Sequence, residues 1–177
     1  MLTCNSFFSG IGGFDLGFER AGIKTLAQVE YDEKCRAVLA RHFPDADRSV
    51  TDIRDARADN LPTADIWCGG FPCQDLSVAG KRKGLAGERS GLWYEFHRAI
   101  VGAKPRWVVI ENVPGLLSSN DGRDFAILLG GLTGRIPAVP GDGWGSAGFV
   151  RGSFYSVAYR VLDAQFFGVA QRRRRVF

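Results

Sequence analysis

Short apolar runs alternate with stretches of helical spacing along most of the chain. "LTCNSFF" predicts a first strand and "SGIGG" the turn that follows it. Phe14, Phe18 and Ala21 then recur at helical intervals until Gly22 stops the helix. "KTLAQVE" predicts a second strand. From Asp32 onward, Cys35, Val38, Leu39, His42 and Phe43 predict one face of a helix that Pro44 keeps short. "SVTDI" predicts a short third strand and "ADIWCGG" a fourth. Leu92, Phe96, Ala99 and Ile100 stripe another helix. "RWVVIENV" gives the strongest strand signal, with the continuous apolar centre expected of a strand buried on both faces. Asp121 is placed to cap a helix whose apolar face is Phe125, Leu128, Leu129 and Leu132. Residues 130–153 are rich in Gly and Pro and predict a surface loop or insertion. "YSVAYRVLDA" alternates as a strand with one exposed face.

This β-α-β-α order predicts an α/β fold with a mainly parallel sheet and helices on both faces. Such sheets bind ligands at the carboxyl ends of their strands. Gly10 to Gly13, Glu30, Asp52, Pro72, Cys73 and Glu111 all fall there. At 177 residues the chain predicts one domain, able to bury about two thirds of its unfolded surface without disulfides.

Composition narrows the chemistry. Hydrophobic content of 45% and charged content of 24% are those of an ordinary globular protein. The net charge of +4 permits an anionic partner without requiring one. Basic charge is concentrated in "QRRRRVF". The four cysteines, Cys4, Cys35, Cys68 and Cys73, show no C-x-x-C spacing, and His42 and His97 are the two histidines. A structural metal is therefore not expected. No signal peptide opens the chain, and no apolar run nears the ~18 residues of a membrane span. A reducing, cytoplasmic setting is the expectation.

A glycine turn between strand and helix lets backbone approach a ligand closely, and the helix N-terminus offers free N–H groups. "SGIGGFD" is not a strict G-x-G-x-x-G, because Asp15 takes the third glycine's place, and no G-K-[ST] follows. Taken alone the turn suits a ligand or merely a chain reversal. Glu30 ends the second strand, where an acid accepts from the ribose hydroxyls of a nucleoside. Asp52 is similarly placed to accept from an adenine amino group, or to cap a loop. Cys4, Cys35 and Cys68 read as small buried hydrophobes. Cys73 differs, since it follows Gly69, Gly70 and Pro72 in a loop at a strand end, where nearby N–H groups or positive charge favour a thiolate. Glu111 ends the strong fifth strand, where partial burial suits a protonated carboxyl.

These stretches resemble the S-adenosylmethionine-dependent DNA cytosine-5 methyltransferases. "FFSGIGGFDLGFERAG" resembles the family's first motif, "GGFPCQDLS" its fourth, "ENVPGLL" its sixth and "QRRRRVF" its eighth. The resemblance implies a Rossmann-like methyltransferase fold with S-adenosylmethionine as cofactor and DNA as partner. It implies that Cys73 attacks carbon 6 of a flipped-out cytosine while Glu111 holds or protonates N3. Arg173 and Arg175 would contact the cytosine or its phosphate. Phe8, Gly10, Gly12, Glu30, Tyr31, Asp52, Ile53, Pro72 and Leu92 match positions lining the cofactor pocket, with Tyr31 on or beside the adenine. Gln74, Ser77, Asn112 and Gln171 match positions on the nucleic-acid side.

Two departures stand out. Ser6 occupies a place where many members carry an acid. The family's target-recognition region and its final segment have no counterpart here, so residues 1–177 are expected to be a truncated catalytic domain or half of a split enzyme, completed by a C-terminal fragment. Competing expectations are an RNA cytosine-5 methyltransferase of the same family and a non-catalytic remnant that binds cofactor or nucleic acid. A nicotinamide dehydrogenase explains the glycines and Glu30 but leaves the Pro-Cys-Gln stretch idle.

Overall fold

The computed structural model describes residues 1–72, 91–168, 170 and 173–177. It divides into two compact units, Met1–Phe71 with Tyr94–Ile110, and Pro72–Trp93 with Glu111–Phe177.

The first unit is built on a four-stranded parallel sheet. Its strands are β1 (Thr3–Phe7), β2 (Lys24–Val29), β3 (Ile66–Gly69) and β4 (Trp107–Ile110), in the order β2-β1-β3-β4. Helix α1 (Gly13–Arg20) links β1 to β2, α2 (Glu33–His42) follows β2, and α3 (Leu92–Ala103) precedes β4. Strand order reverses between β1 and β3. Right-handed crossovers then put α1 and α3 on opposite faces, and the switch point opens at the carboxyl ends of β1 and β3. Cys4 and Phe7 of β1 and Trp67 and Cys68 of β3 are at most 2% exposed. The Cys4 and Cys68 sulfurs lie 3.5 Å apart on these neighbouring strands, and burial pushes the Cys68 thiol up, so both serve as core atoms.

Four local expectations are corrected. "SVTDI" forms no strand, because Asp47 makes a single parallel bridge to Ala27 and its carboxylate then turns the chain by accepting from the Ser49 amide. "RWVVIENV" does supply β4, but at an edge of its sheet, and Trp107 is 56% exposed. Val38 and His42 face solvent, leaving Leu39 and Phe43 as the buried side of α2. Cys35 is only half-buried.

The second unit contains helix α4 (Arg123–Thr133) and a three-stranded antiparallel sheet, β5 (Ala147–Val150), β6 (Val157–Asp163) and β7 (Arg174–Val176), in that order. Helix α4 buries Phe125, Leu128, Leu129 and Leu132 as its spacing predicts. Its cap is Gly122 rather than Asp121, which sits in a left-handed turn with Asn120. The glycine-rich stretch is not all loop. Its end forms β5, which pairs with β6 and brings Trp144 and Tyr159 edge-on against Phe125. Glycine's lack of a side chain hides this strand from periodicity: Gly148 lies opposite Tyr159, whose ring fills the space a Cβ would need. Among the described residues no helix is long and apolar enough to cross a membrane.

Gly12 tests the packing of the β1–α1 turn. Its φ is +91°, and an added Cβ would meet Phe43 Cε2 at 2.5 Å and Leu39 Cδ2 at 3.1 Å. Gly12→Ala is expected to lower unfolding free energy by roughly 2–4 kcal/mol, measured by denaturant titration. A loss under about 0.5 kcal/mol, the range of neutral surface changes, contradicts this packing.

Candidate active site

The β1–α1 turn is held from two directions. Phe8, at φ 52°, leaves the strand in a left-handed conformation and meets Phe96 of α3 edge-on at 5.9 Å. Glu30, just past β2, supplies the second hold. Its Oε2 accepts from the Gly10 amide and its Oε1 from the Asp32 amide, both at 2.8 Å. Asp32 in turn caps α2 by accepting from the Cys35 amide at 2.9 Å, which holds its carboxyl below the usual range. One carboxylate thus ties the glycine turn to the start of the next helix.

Beneath the turn lies a polar chain that periodicity does not reveal. Asp15 is fully buried in the first turn of α1. Its Oδ2 accepts from Ser6 Oγ at 3.1 Å and its Oδ1 from Gln28 Nε2 at 3.0 Å. Ser6 Oγ also donates to Ser9 Oγ at 2.9 Å, and Arg48 donates to Gln28 Oε1 at 2.9 Å. Ser6, where many family members carry an acid, thus has a buried carboxylate as its partner, Asp15 of the adjoining helix. The available signal was an acid three residues into a helix, where the dipole favours negative charge.

The turn is open on its ligand side. An added Cβ at Gly10 or Gly13 meets no heavy atom within 4 Å. Tyr31 is 73% exposed beside Glu30, and Ile53 is 4% exposed. Asp52 is held by Arg54, whose Nε lies 3.0 Å from each carboxylate oxygen; this pairing lowers the Asp52 carboxyl against a smaller opposing effect of burial. Each Glu30 oxygen accepts a single amide and retains acceptor capacity, whereas the Asp52 oxygens already take the Arg54 amide, Nε and Nη2, so a ligand donor there shares them with Arg54. An uncrowded glycine turn, an acid with free acceptor capacity at Glu30 and an exposed aromatic ring at Tyr31 are groups that could hold an adenosine-bearing cofactor. Pro72 and Leu92, the remaining residues of that expected lining, are half-buried members of the second unit.

Glu111, a residue of the second unit, follows β4 directly in sequence. Asn112 and Val176 exchange both backbone hydrogen bonds at 2.9 Å, which sets β7 beside the Glu111 segment. Arg175 on β7 then reaches Glu111, Nε to Oε1, at 2.5 Å. Burial pushes the Glu111 carboxyl up, while Arg175 and, less strongly, Arg173 pull it down; burial prevails. The ion pair alone implies a lowered carboxyl, but the Glu111 side chain is only 26% exposed and desolvation outweighs a partner that is itself partly solvated. Both expected arginines, Arg173 and Arg175, therefore act on the same carboxyl. Asn112 is 2% exposed, and its Oδ1 accepts from the Val113 amide at 2.9 Å, so its side chain shapes the turn after Glu111. The expectations for Cys73, Gln74, Ser77 and Gln171 fall outside the described residues.

The chain is similar to known methyltransferases. It is 38% identical over 175 residues to the type II methyltransferase M2.BsuMI of Bacillus subtilis, covering 97% of this chain and 40% of that protein. It is 36% identical to the type II methyltransferase M.AquIA of Picosynechococcus, covering 97% of this chain and 68% of that one. Among solved structures it superposes on the methyltransferase EhMeth of Entamoeba histolytica with a TM-score of 0.71 at 16% identity, over 99% of this chain and 51% of the other, which shows a shared methyltransferase fold. The chain spans about half or less of the first curated relatives it matches. Residues 2–133, which hold the glycine turn, Glu30, Asp52 and Glu111, match the model of the C-5 cytosine-specific DNA methylases, and the chain belongs to that family.

Proposed function

We propose that this chain carries the catalytic residues of a DNA cytosine-5 methyltransferase. The observation that carries the reading is Glu111, a partly buried carboxyl raised by desolvation and gripped by an arginine, directly beyond a parallel strand. S-adenosylmethionine, when bound, supplies an electrophilic methyl group on sulfur. Gly10, Gly12 and Phe8 shape its cradle, Glu30 accepts from its ribose, and Tyr31, Asp52 and Ile53 meet its adenine, with Pro72 and Leu92 completing the lining.

Cytosine carbon 5 is a weak nucleophile in the intact ring. In this reading the Cys73 thiolate adds to carbon 6, forming a carbon–sulfur bond and pushing the 5,6 electron pair toward carbon 5. Glu111, protonated, donates to N3 and offsets the charge that develops on the ring. Carbon 5 then takes the methyl group. Loss of its proton to a base and departure of the Cys73 sulfur restore the double bond. Carbon 6 is shielded in stacked DNA, so the target base leaves the duplex before attack. Arg173 and Arg175 hold Glu111 and the base or its phosphate, and Gln74, Ser77 and Gln171 serve the nucleic-acid side, while Asn112, expected there from the motif, is buried and shapes the turn after Glu111 instead. Residues that choose the DNA sequence belong, in this reading, to polypeptide beyond these 177 residues, supplied in the same protein or by a complementing fragment. The family description, which specifies DNA, favours DNA over RNA.

Two outcomes are expected. First, with S-adenosylmethionine present, and a complementing fragment from a relative added if needed, the chain forms a denaturation-resistant adduct with DNA containing 5-fluorocytosine. Cys73→Ser abolishes the adduct, and matched RNA does not compete for it. An adduct that survives Cys73→Ser contradicts the assignment. Second, activity falls as pH rises through the folded-state pKa of Glu111, because its protonated form does the work. Arg175→Gln removes the stronger force pulling that carboxyl down, so the falling limb of the kcat profile moves to higher pH. A limb that stays in place, or moves down, removes Glu111 from the acid role.

A further inference from the structure

Residues 52–60 form no helix or strand and include Asp52 and Ile53 of the expected cofactor lining. Asp55 and Ala56 amides close turns onto the Asp52 and Ile53 carbonyls at 3.0 and 3.2 Å. Arg57 donates to the Arg54 and Ala56 carbonyls at 2.7 and 2.9 Å, and Asn60 Nδ2 donates to the Asp55 carbonyl at 2.9 Å. These bonds are local, so they shape the loop without saying where it sits against the rest of its unit.

Arg98 supplies that connection from more than 40 positions away in sequence. It lies in α3, whose buried face is Phe96, Ala99 and Ile100. Its Nε donates to Glu95 Oε2 at 2.8 Å, one helical turn back. The outer nitrogens reach the loop's carbonyls: one meets Ala56 at 3.1 Å, and the other meets Ile53 and Arg54, each at 3.2 Å. The planar fork of a guanidinium suits this; a lysine ammonium, a single point on a flexible stem, does not match three fixed acceptors. Burial of Ile53 and Ala56, at 4% and 0% exposure, fixes the depth of the loop, and the carbonyl bonds fix its rotation.

We propose that Arg98 is a positioning residue for the adenine end of the cofactor site. Oriented by Glu95, it holds the backbone of Ile53, Arg54 and Ala56 against α3. It thereby sets where the Asp52 carboxylate and the Ile53 side chain meet the base. Its role toward adenine rests on the cofactor reading above, whereas the restraint on the loop does not.

The test uses the whole chain with Arg98→Ala and Arg98→Lys, and reads two quantities. Hydrogen–deuterium exchange is followed at peptides covering residues 53–57 and, as reference, the β1–β3 core. Affinities are measured by calorimetry for S-adenosylhomocysteine and for S-inosylhomocysteine, in which an oxo group replaces the amino group Asp52 would face. Arg98→Ala is expected to speed exchange at residues 55 and 56 about tenfold with the core unchanged, and to weaken S-adenosylhomocysteine about tenfold while the inosyl compound changes less than about threefold. Arg98→Lys should recover only a minor part of either loss, and it carries the comparison should Arg98→Ala fail to fold. Unchanged exchange at residues 53–57, or equal weakening of both ligands with discrimination intact, overturns the proposal, since a merely structural arginine gives the latter. Absence of binding of either ligand to the unaltered chain overturns the cofactor reading and Arg98's role toward adenine with it, while the exchange data still decide the restraint.

Discussion

The first unit depends on the confinement of β1. This strand has a hydrogen-bonded neighbour on each side, and four of its five residues are buried. A polar atom there must find a partner or bear the cost of lost hydration, commonly a few kcal/mol. Ser6 meets that demand through Asp15 and Ser9, Asp15 reaches Gln28, and Gln28 reaches Arg48. The glycine turn thus follows a hydrogen-bonded polar chain at Ser6 and Ser9, while its Gly12 packs against Phe43 and Leu39. Because Asp15 belongs to α1 and Gln28 to β2, the same chain locks the helix to both strands that flank it. Gly10 is held by Glu30 through its amide, and the Gly12 amide donates to the Ser9 carbonyl.

A second opposition governs Glu111. Burial raises the carboxyl and Arg175 lowers it; burial prevails, with the cation still in contact. That combination suits a residue asked to donate a proton at one step and to tolerate charge at the next. It also makes the Asn112–Val176 backbone pair consequential, since that pairing sets the register that delivers Arg175 to Glu111.

Much of this was legible in the order of residues. The strands around "LTCNSFF", "KTLAQVE" and "ADIWCGG" and the α4 face follow from periodicity, whereas the Glu111–Arg175 ion pair does not, since the motif assigns Arg175 to the cytosine or its phosphate. Other features were not, for identifiable reasons. "SVTDI" has a strand's β-branched residues, but Asp47 and Asp52 spend their carboxylates on nearby amides and turn the chain. β5 is built partly from glycine, which leaves no pattern to read. Asp15 and Arg98 look like surface charges in a linear text. Only tertiary placement gives Asp15 a buried serine and glutamine, and Arg98 three carbonyls over 40 residues distant.

The central claim is chemical: methyl transfer to carbon 5 of cytosine, which needs covalent activation of the ring, rather than to an exocyclic nitrogen, which does not. The most direct measurement is the identity of the modified nucleoside. DNA incubated with the chain, a C-terminal fragment from a relative and S-adenosylmethionine carrying a labelled methyl group is digested and resolved by liquid chromatography with mass spectrometry. The account predicts label in 5-methyldeoxycytidine alone. Label in N4-methyldeoxycytidine or N6-methyldeoxyadenosine contradicts it.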